Sequence, residues 1–288
     1  MKNSFIIFIK GIIMGFCDVI PGISGGTIAF ITGIYERLIN GVENYNPLNL
    51  TKIFKNPKST LKSLDLQFFI PLLLGLSLAF IVGSIIIPKL LEIYFTFTIS
   101  FFVGLILASS VLIYKEIKDH SKISIFFGFL GLIFGILISF LVPINPNPSL
   151  IYIFLCGFLA ITAMFLPGIS GAFILLILGK YEFMLNVLHN LKENLSYFFS
   201  FIVGAILGAL TISKIISVLL KKFHSKTLYL LLGLVLGSLL APIKKINFHM
   251  SFEDGSIALI FIVFGILTVY LINKLAEKTT KKDFIGIE

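Results

Sequence analysis

The stretch Asp18-Val-Ile-Pro-Gly-Ile-Ser-Gly-Gly-Thr27 decides how this chain is read, because its centre returns 146 residues later as Leu166-Pro-Gly-Ile-Ser-Gly171. Each Pro-Gly interrupts an apolar run of 31 residues, 5–35 and 150–180. Proline inside a helix removes a donor and clashes with the preceding turn, so each run reads as two arms meeting at a break. Arms of about 14–16 residues reach roughly 21–24 Å, short of a hydrocarbon core about 30 Å thick. The expectation is two re-entrant hairpins that dip into a membrane and return. Irregular backbone at that depth is tolerated only inside protein or beside a wet cavity. The first arm carries no small-residue cleavage site, and Asp18, Pro21 and Gly22 follow at once, so it is read as hairpin rather than leader.

Composition agrees with a membrane setting. Of 288 residues, 57% are hydrophobic and 13% charged, and the mean hydropathy is +1.05. Soluble domains carry about 25% charge. Most soluble enzymes, nucleic-acid binders and secreted disulfide scaffolds are thereby excluded. Cys17 and Cys156 both lie in apolar runs without metal-ligand spacing, so neither a disulfide frame nor a zinc site is indicated. Six further apolar segments read as ordinary spans: 66–87, 97–114, 124–142, 197–216, 227–241 and 257–272.

The distribution of Lys and Arg tests the hairpins, since these residues concentrate on the cytoplasmic side. If both long runs return to their starting side, 18 of the 23 cationic residues share one side; if each is a single span, the split is 11 against 12. The hairpin reading therefore places both termini and the basic 37–65 loop in the cytoplasm, in a multi-pass cytoplasmic-membrane protein. It does not separate a re-entrant loop from two tilted full spans; arm length favours re-entry.

The duplication extends beyond the tips. At the same offset of 146, Gly11 pairs with Gly157, Gly33 with Gly179 and Tyr35-Glu36 with Tyr181-Glu182. At an offset of 129, Gly75 pairs with Gly204, Gly104-Leu105 with Gly233-Leu234 and Ser109 with Ser238, and Phe-Gly-Ile-Leu recurs at 134–137 and 264–267. The expected organisation is all-α, with repeats 1–145 and 146–288, the second ending in a basic cytoplasmic tail. Each repeat holds one hairpin and three spans. Three is odd, so the second repeat enters from the opposite face and the two are inverted. Secondary transporters built this way hold substrate near the midplane, where broken helices of both halves meet.

The tips have chemistry suited to an anion. A helix starting at a Pro-Gly break points free N–H groups and a positive dipole end inward. Gly22, Gly25 and Gly26 permit close backbone approach, and Ser24 and Thr27 add hydroxyls; Gly168, Ser170 and Gly171 repeat the arrangement. The competing reading is that these glycines serve only helix packing, but Pro and Ser at a break add nothing to packing. Asp18 has Met164 as its counterpart. It could carry a proton or a coupling sodium ion, or simply cap the break. Glu36, Arg37 and Glu182 are gating or coupling candidates, or interfacial charges with Glu36 paired to Arg37. Lys10 and Lys214 read as snorkelling cations, and the histidines are given no role. Catalytic residues, metals and cofactors are not expected.

The motif Asp18–Thr27, followed by Thr32-Gly-Ile-Tyr-Glu36, resembles the first signature of the polyprenyl-phosphate transporter (PopT) family, long catalogued as a membrane domain of unknown function. Leu166–Gly171 with Gly179-Lys-Tyr-Glu182 is similar to its second signature, and the likeness covers about residues 5–272. The departure is Ala172-Phe173, where a small, hydroxyl-bearing pair is expected. The resemblance implies a flippase that returns undecaprenyl phosphate, or a similar polyprenyl phosphate, from the outer to the cytoplasmic leaflet for lipid-carrier recycling in envelope biogenesis. Its partners would be that lipid and the surrounding membrane lipids, with self-association open and no nucleic acid. The alternative is an ion-coupled secondary transporter of a small soluble anion. A lipid-modifying enzyme is disfavoured because no paired carboxylates, His-rich loop or activated nucleophile is present.

Overall fold

In lipid, a backbone must satisfy its own hydrogen bonds, and every described element of this chain is a helix. The computed structural model describes residues 2–19, 24–46, 49, 51, 63–144, 146–244 and 252–285. The tip residues Pro21, Gly22 and Ile23 lie outside them, as does most of the basic loop. The helices are α1 (Lys2–Asp18), α2 (Gly25–Ile31), α3 (Tyr35–Asn44), α4 (Leu66–Ile93), α5 (Phe95–Glu116), α6 (Lys122–Ile138), α7 (Leu150–Phe165), α8 (Gly171–Ile177), α9 (Tyr181–His189), α10 (Leu195–Ser238), α11 (Leu240–Ile243) and α12 (Phe252–Ile285).

Segments within α4 (Leu66–Ile87), α5 and α10 are each long and apolar enough to cross a membrane. Between α8 and α9 the chain bends by 109°, as a broken span or a re-entrant loop does. The outer faces match. Leu73, Leu74, Ile81, Phe129, Ile133 and Phe134 are all exposed, a surface that suits hydrocarbon rather than water. The core gathers around the first hairpin, with Met14, Ile28, Ile39, Phe68, Leu72 and Val235 almost fully enclosed.

Several extents differ from expectation. The arms of each hairpin are unequal: α1 and α7 have 17 and 16 residues, whereas α2 and α8 have only seven each. Seven residues rise about 10 Å. The cause is a second break in each run. Gly33 and Gly179 take φ of 67° and 62°, a left-handed conformation costly to residues with a Cβ, and turn the chain into α3 and α9. The spans expected at 197–216 and 227–241 lie on either side of a kink in α10 at Phe223, where φ is −137° and ψ is 48°. The span expected at 124–142 closes at Ile138. The segment 257–272 lies within the longer α12.

Without a hydrophobic force between helices in lipid, close approach of backbones at small residues holds them together. The two halves use the same approaches at the offsets already noted. Gly11 of α1 lies against the Leu72 carbonyl of α4, and Gly75 of α4 against the Phe8 carbonyl. Gly157 and Gly204 meet the Phe201 and Phe154 carbonyls in the same way, each position shifted by 146 or 129. In the α5–α12 pair Gly104 meets Ile262 and Gly265 meets Phe101; in the α6–α10 pair Gly233 meets Gly128 and Gly131 meets Leu230. These last contacts equate Gly131 with Gly265, an offset of 134, whereas the Phe-Gly-Ile-Leu match implies 130. The registers differ by one helical turn, because backbone approach, not side-chain identity, decides the packing.

Candidate functional site

Each short helix begins at a serine that caps it. The Ser24 hydroxyl accepts from the Gly26 amide at 3.1 Å, and the Ser170 hydroxyl from the Phe173 amide at 3.4 Å. Both side chains are 1% exposed. A serine at this position satisfies a donor that the first helical turn leaves free. The hydroxyls expected to face a ligand are thus engaged with their own helices in this state.

The two tips meet. The Gly168 amide donates to Thr27 Oγ1 at 2.9 Å across 141 residues of sequence, and Ser24 Oγ stands 3.5 Å from the Leu166 carbonyl. Tyr35 Oη donates to the Phe165 carbonyl at 2.9 Å, closing the C-terminal end of α7. A Cβ on Gly26 would lie 2.7 Å from the Met164 carbonyl oxygen, so no larger residue fits at this crossing. Gly168 itself has φ of 90° and lies against Val235 and Ser238 of α10. The structure therefore joins Ser24, Gly26 and Thr27 directly to Gly168 and its neighbours. Ser170 and Gly171 pack within their own hairpin, Gly171 against Ala160 and Met164.

Asp18 is buried beside this joint. Its Oδ1 accepts from the Gly25 amide at 2.7 Å, so it does cap the break, while Oδ2 has no hydrogen-bond partner. The carboxylate lines a cavity of about 290 Å³ whose other walls include Phe80, Ala160, Met164, Leu175 and Phe201. A second cavity of about 300 Å³, wholly apolar, adjoins Gly26, Tyr35 and Phe69. The two share Leu76, Ile161, Met164 and Ile202 as a common wall.

The charged candidates are placed differently from expectation. Arg37 forms a bidentate pair with Asp65, at 2.7 and 2.9 Å, not with Glu36. Glu36 instead meets His224 Nε2 at 3.0 Å, beside the bend at Phe223. Glu182 is exposed. None of the three lies at the tip joint. Lys10 does not snorkel freely: its Nζ donates to the Thr32 carbonyl at 2.6 Å, at the C-terminal end of α2. In the other half Tyr152 Oη donates at 2.9 Å to the Leu178 carbonyl, which stands 146 residues from Thr32. A different residue thus satisfies the equivalent carbonyl, so sequence matching alone does not reveal it. Tyr35 was visible only as half of a repeated Tyr-Glu pair.

Comparison with known proteins agrees with this reading of the motif. The chain is 37% identical over 181 residues, 60% of its length, to a polyprenyl-phosphate transporter of Vibrio cholerae. It is 29% identical over 182 residues to a polyprenyl-phosphate transporter of Staphylococcus aureus. The matched stretches span 57% and 60% of these relatives, less than two thirds of either. No solved structure matches. A model of the undecaprenyl phosphate translocase-like family matches residues 14–257, both tips and the helices that join them included, and the chain belongs to that family.

Proposed function

We propose that this protein is a non-enzymatic, multi-pass transporter of polyprenyl phosphate, which it flips from the outer to the cytoplasmic leaflet of the cytoplasmic membrane. The observation that carries the proposal is the polar contact between two broken helices, with two adjoining, largely apolar cavities beside it at Gly26 and Gly171. Only the phosphate head has to cross, and the tail stays in hydrocarbon. In this reading the two hairpins belong to inverted repeats 1–145 and 146–288, and the glycine contacts that recur between the halves support the duplication. The lysine bias supports a cytoplasmic position for both termini.

In the proposed cycle the phosphate enters between the tips and takes over the donors that now serve them. The Gly168 amide and the Thr27 hydroxyl are released from each other, and the helix starts at Ser24–Gly26 and Ser170–Gly171 supply further N–H groups. A charged Asp18 beside an incoming phosphate repels it unless the carboxylate is protonated or holds a cation. That repulsion is the physical link through which a proton or sodium gradient would drive the step, and the partnerless Oδ2 supports it.

The test is leaflet translocation of a polyprenyl phosphate in proteoliposomes, read with a probe that binds phosphate only on the outer face. The wild type transfers the lipid, and the Ser24→Ala/Ser170→Ala and Asp18→Asn variants transfer it at least tenfold more slowly. Intact translocation by the double serine variant removes the site assignment. If the wild type fails to move the lipid but takes up a labelled soluble anion, the soluble-anion transporter replaces this reading.

A further inference from the structure

Away from the tips, α5 and α12 cross tightly where Gly104 meets the Ile262 carbonyl and Gly265 meets the Phe101 carbonyl. Beyond that crossing they diverge and leave a cavity of about 450 Å³. Its walls are apolar toward the crossing, with Val111, Leu112 and Ile266, and cationic at the mouth, with Lys115, Lys274 and Tyr270. Lys274 Nζ lies 5.7 Å from the centre of the Tyr270 ring. Neither lysine has a carboxylate partner among the described residues. The adjacent Glu116 interacts with Glu36 and His224 and does not line the cavity.

The equivalent place in the other half is built differently. Lys244 stands 129 residues after Lys115, and Phe140 stands 134 before Lys274, the offsets set by the glycine contacts. There Lys244 lies over the Phe140 ring, 2.9 Å from its centre. Two lysines without a carboxylate partner among the described residues thus meet at one apolar cleft, with Lys274 near the Tyr270 ring, whereas on the other side Lys244 lies over Phe140.

We propose that the Lys115–Tyr270–Lys274 cleft binds the head of a lipid phosphate monoester and serves as the site from which the transported lipid leaves on the cytoplasmic side. Charge decides the ligand class. A phosphate monoester carries about −1.5 to −2 at neutral pH, which two ammonium groups can balance, whereas a phosphodiester carries a single charge. The apolar walls take the first part of the tail. The role of the cleft in release rests on the proposed translocation, but its ligand class does not.

The full-length protein is placed in zwitterionic nanodiscs containing a photoactivatable phosphatidic acid, and labelled peptides are mapped. Labelling is expected on α5 and α12 around 108–115 and 266–274, and unlabelled polyprenyl phosphate competes it away. Each lysine near an anionic headgroup contributes about 1 kcal/mol, so K115Q/K274Q lowers apparent affinity about thirtyfold, while K115R/K274R retains it. Equal labelling by a photoactivatable phosphatidylglycerol, or labelling that survives K115Q/K274Q, overturns the proposal. Leaflet transfer is measured in parallel in liposomes. Transfer without labelling refutes the cleft alone; labelling without transfer refutes the translocation reading and leaves a monoester-lipid site.

Discussion

Replacing Thr27 by valine tests the joint between the tips with little change of shape. Thr27 is 1% exposed, and its hydroxyl is the acceptor for the Gly168 amide at 2.9 Å. Valine keeps the branched side chain and removes the acceptor, leaving a buried N–H unsatisfied. Such an orphaned donor costs about 1–3 kcal/mol. A central figure of about 2 kcal/mol corresponds to roughly a thirtyfold shift in the equilibrium between joined and parted tips. The readout is hydrogen exchange by mass spectrometry on a peptide spanning 163–173, with protein in lipid nanodiscs. Exchange at Gly168 accelerates by about that factor in Thr27→Val, while Thr27→Ser, which retains an oxygen, stays near the wild type. If valine leaves exchange unchanged, or if serine and valine accelerate it equally, the hydrogen bond does not hold the tips together.

Gly75→Ala and Gly204→Ala drive a methyl into the Phe8 and Phe154 carbonyls; each is expected to lower thermal stability by several kcal/mol, whereas Gly255→Ala, with nothing within 4 Å, is neutral or slightly stabilising in melting experiments. The Glu36–His224 pair is 56% and 44% exposed, so Glu36→Gln changes stability by under about 1 kcal/mol, and a melting shift as large as that of the glycine variants would show that the pair does more than bridge two surfaces. Hydrogen bonds from Ser124 and Ser121 hold the Asp119 carboxyl below its ordinary value of 3.8. A lowered folded-state pKa means that the contribution is fully present above the unfolded value and is lost as pH falls through the folded one. Ser124→Ala therefore moves the Asp119 titration upward, seen by NMR of the carboxyl carbon, and an unmoved titration would rule these bonds out as its cause.

What could be read in the residues was whatever depends on local chemistry or on repetition. Proline next to glycine disfavours a helix interior, so the breaks at Pro21-Gly22 and Pro167-Gly168 were visible, although α4 runs on through Pro71. Five identical residues around each break made the duplication visible, and low charge made the membrane visible. Serine after a break is a capping residue, but whether its hydroxyl faces a ligand or its own helix depends on side-chain rotation. The length of the second arms turned on Gly33 and Gly179, whose left-handed backbone has no mark beyond the residue type.

By itself, then, the sequence determined an all-helical chain with two Pro-Gly breaks and the serines, glycines and Thr27 that surround them, because helix breaking, hydropathy and capping act over a few residues. The tertiary structure decided which of those residues meet. It paired Thr27 with Gly168, Tyr35 with the Phe165 carbonyl, Arg37 with Asp65 and Glu36 with His224. It also set the register of the last helices by one turn and gathered Lys115 and Lys274 at one cleft. These are contacts between residues 28 to 188 positions apart. They depend on how the helices pack in three dimensions, in part through close backbone approach at glycine, which no local pattern encodes.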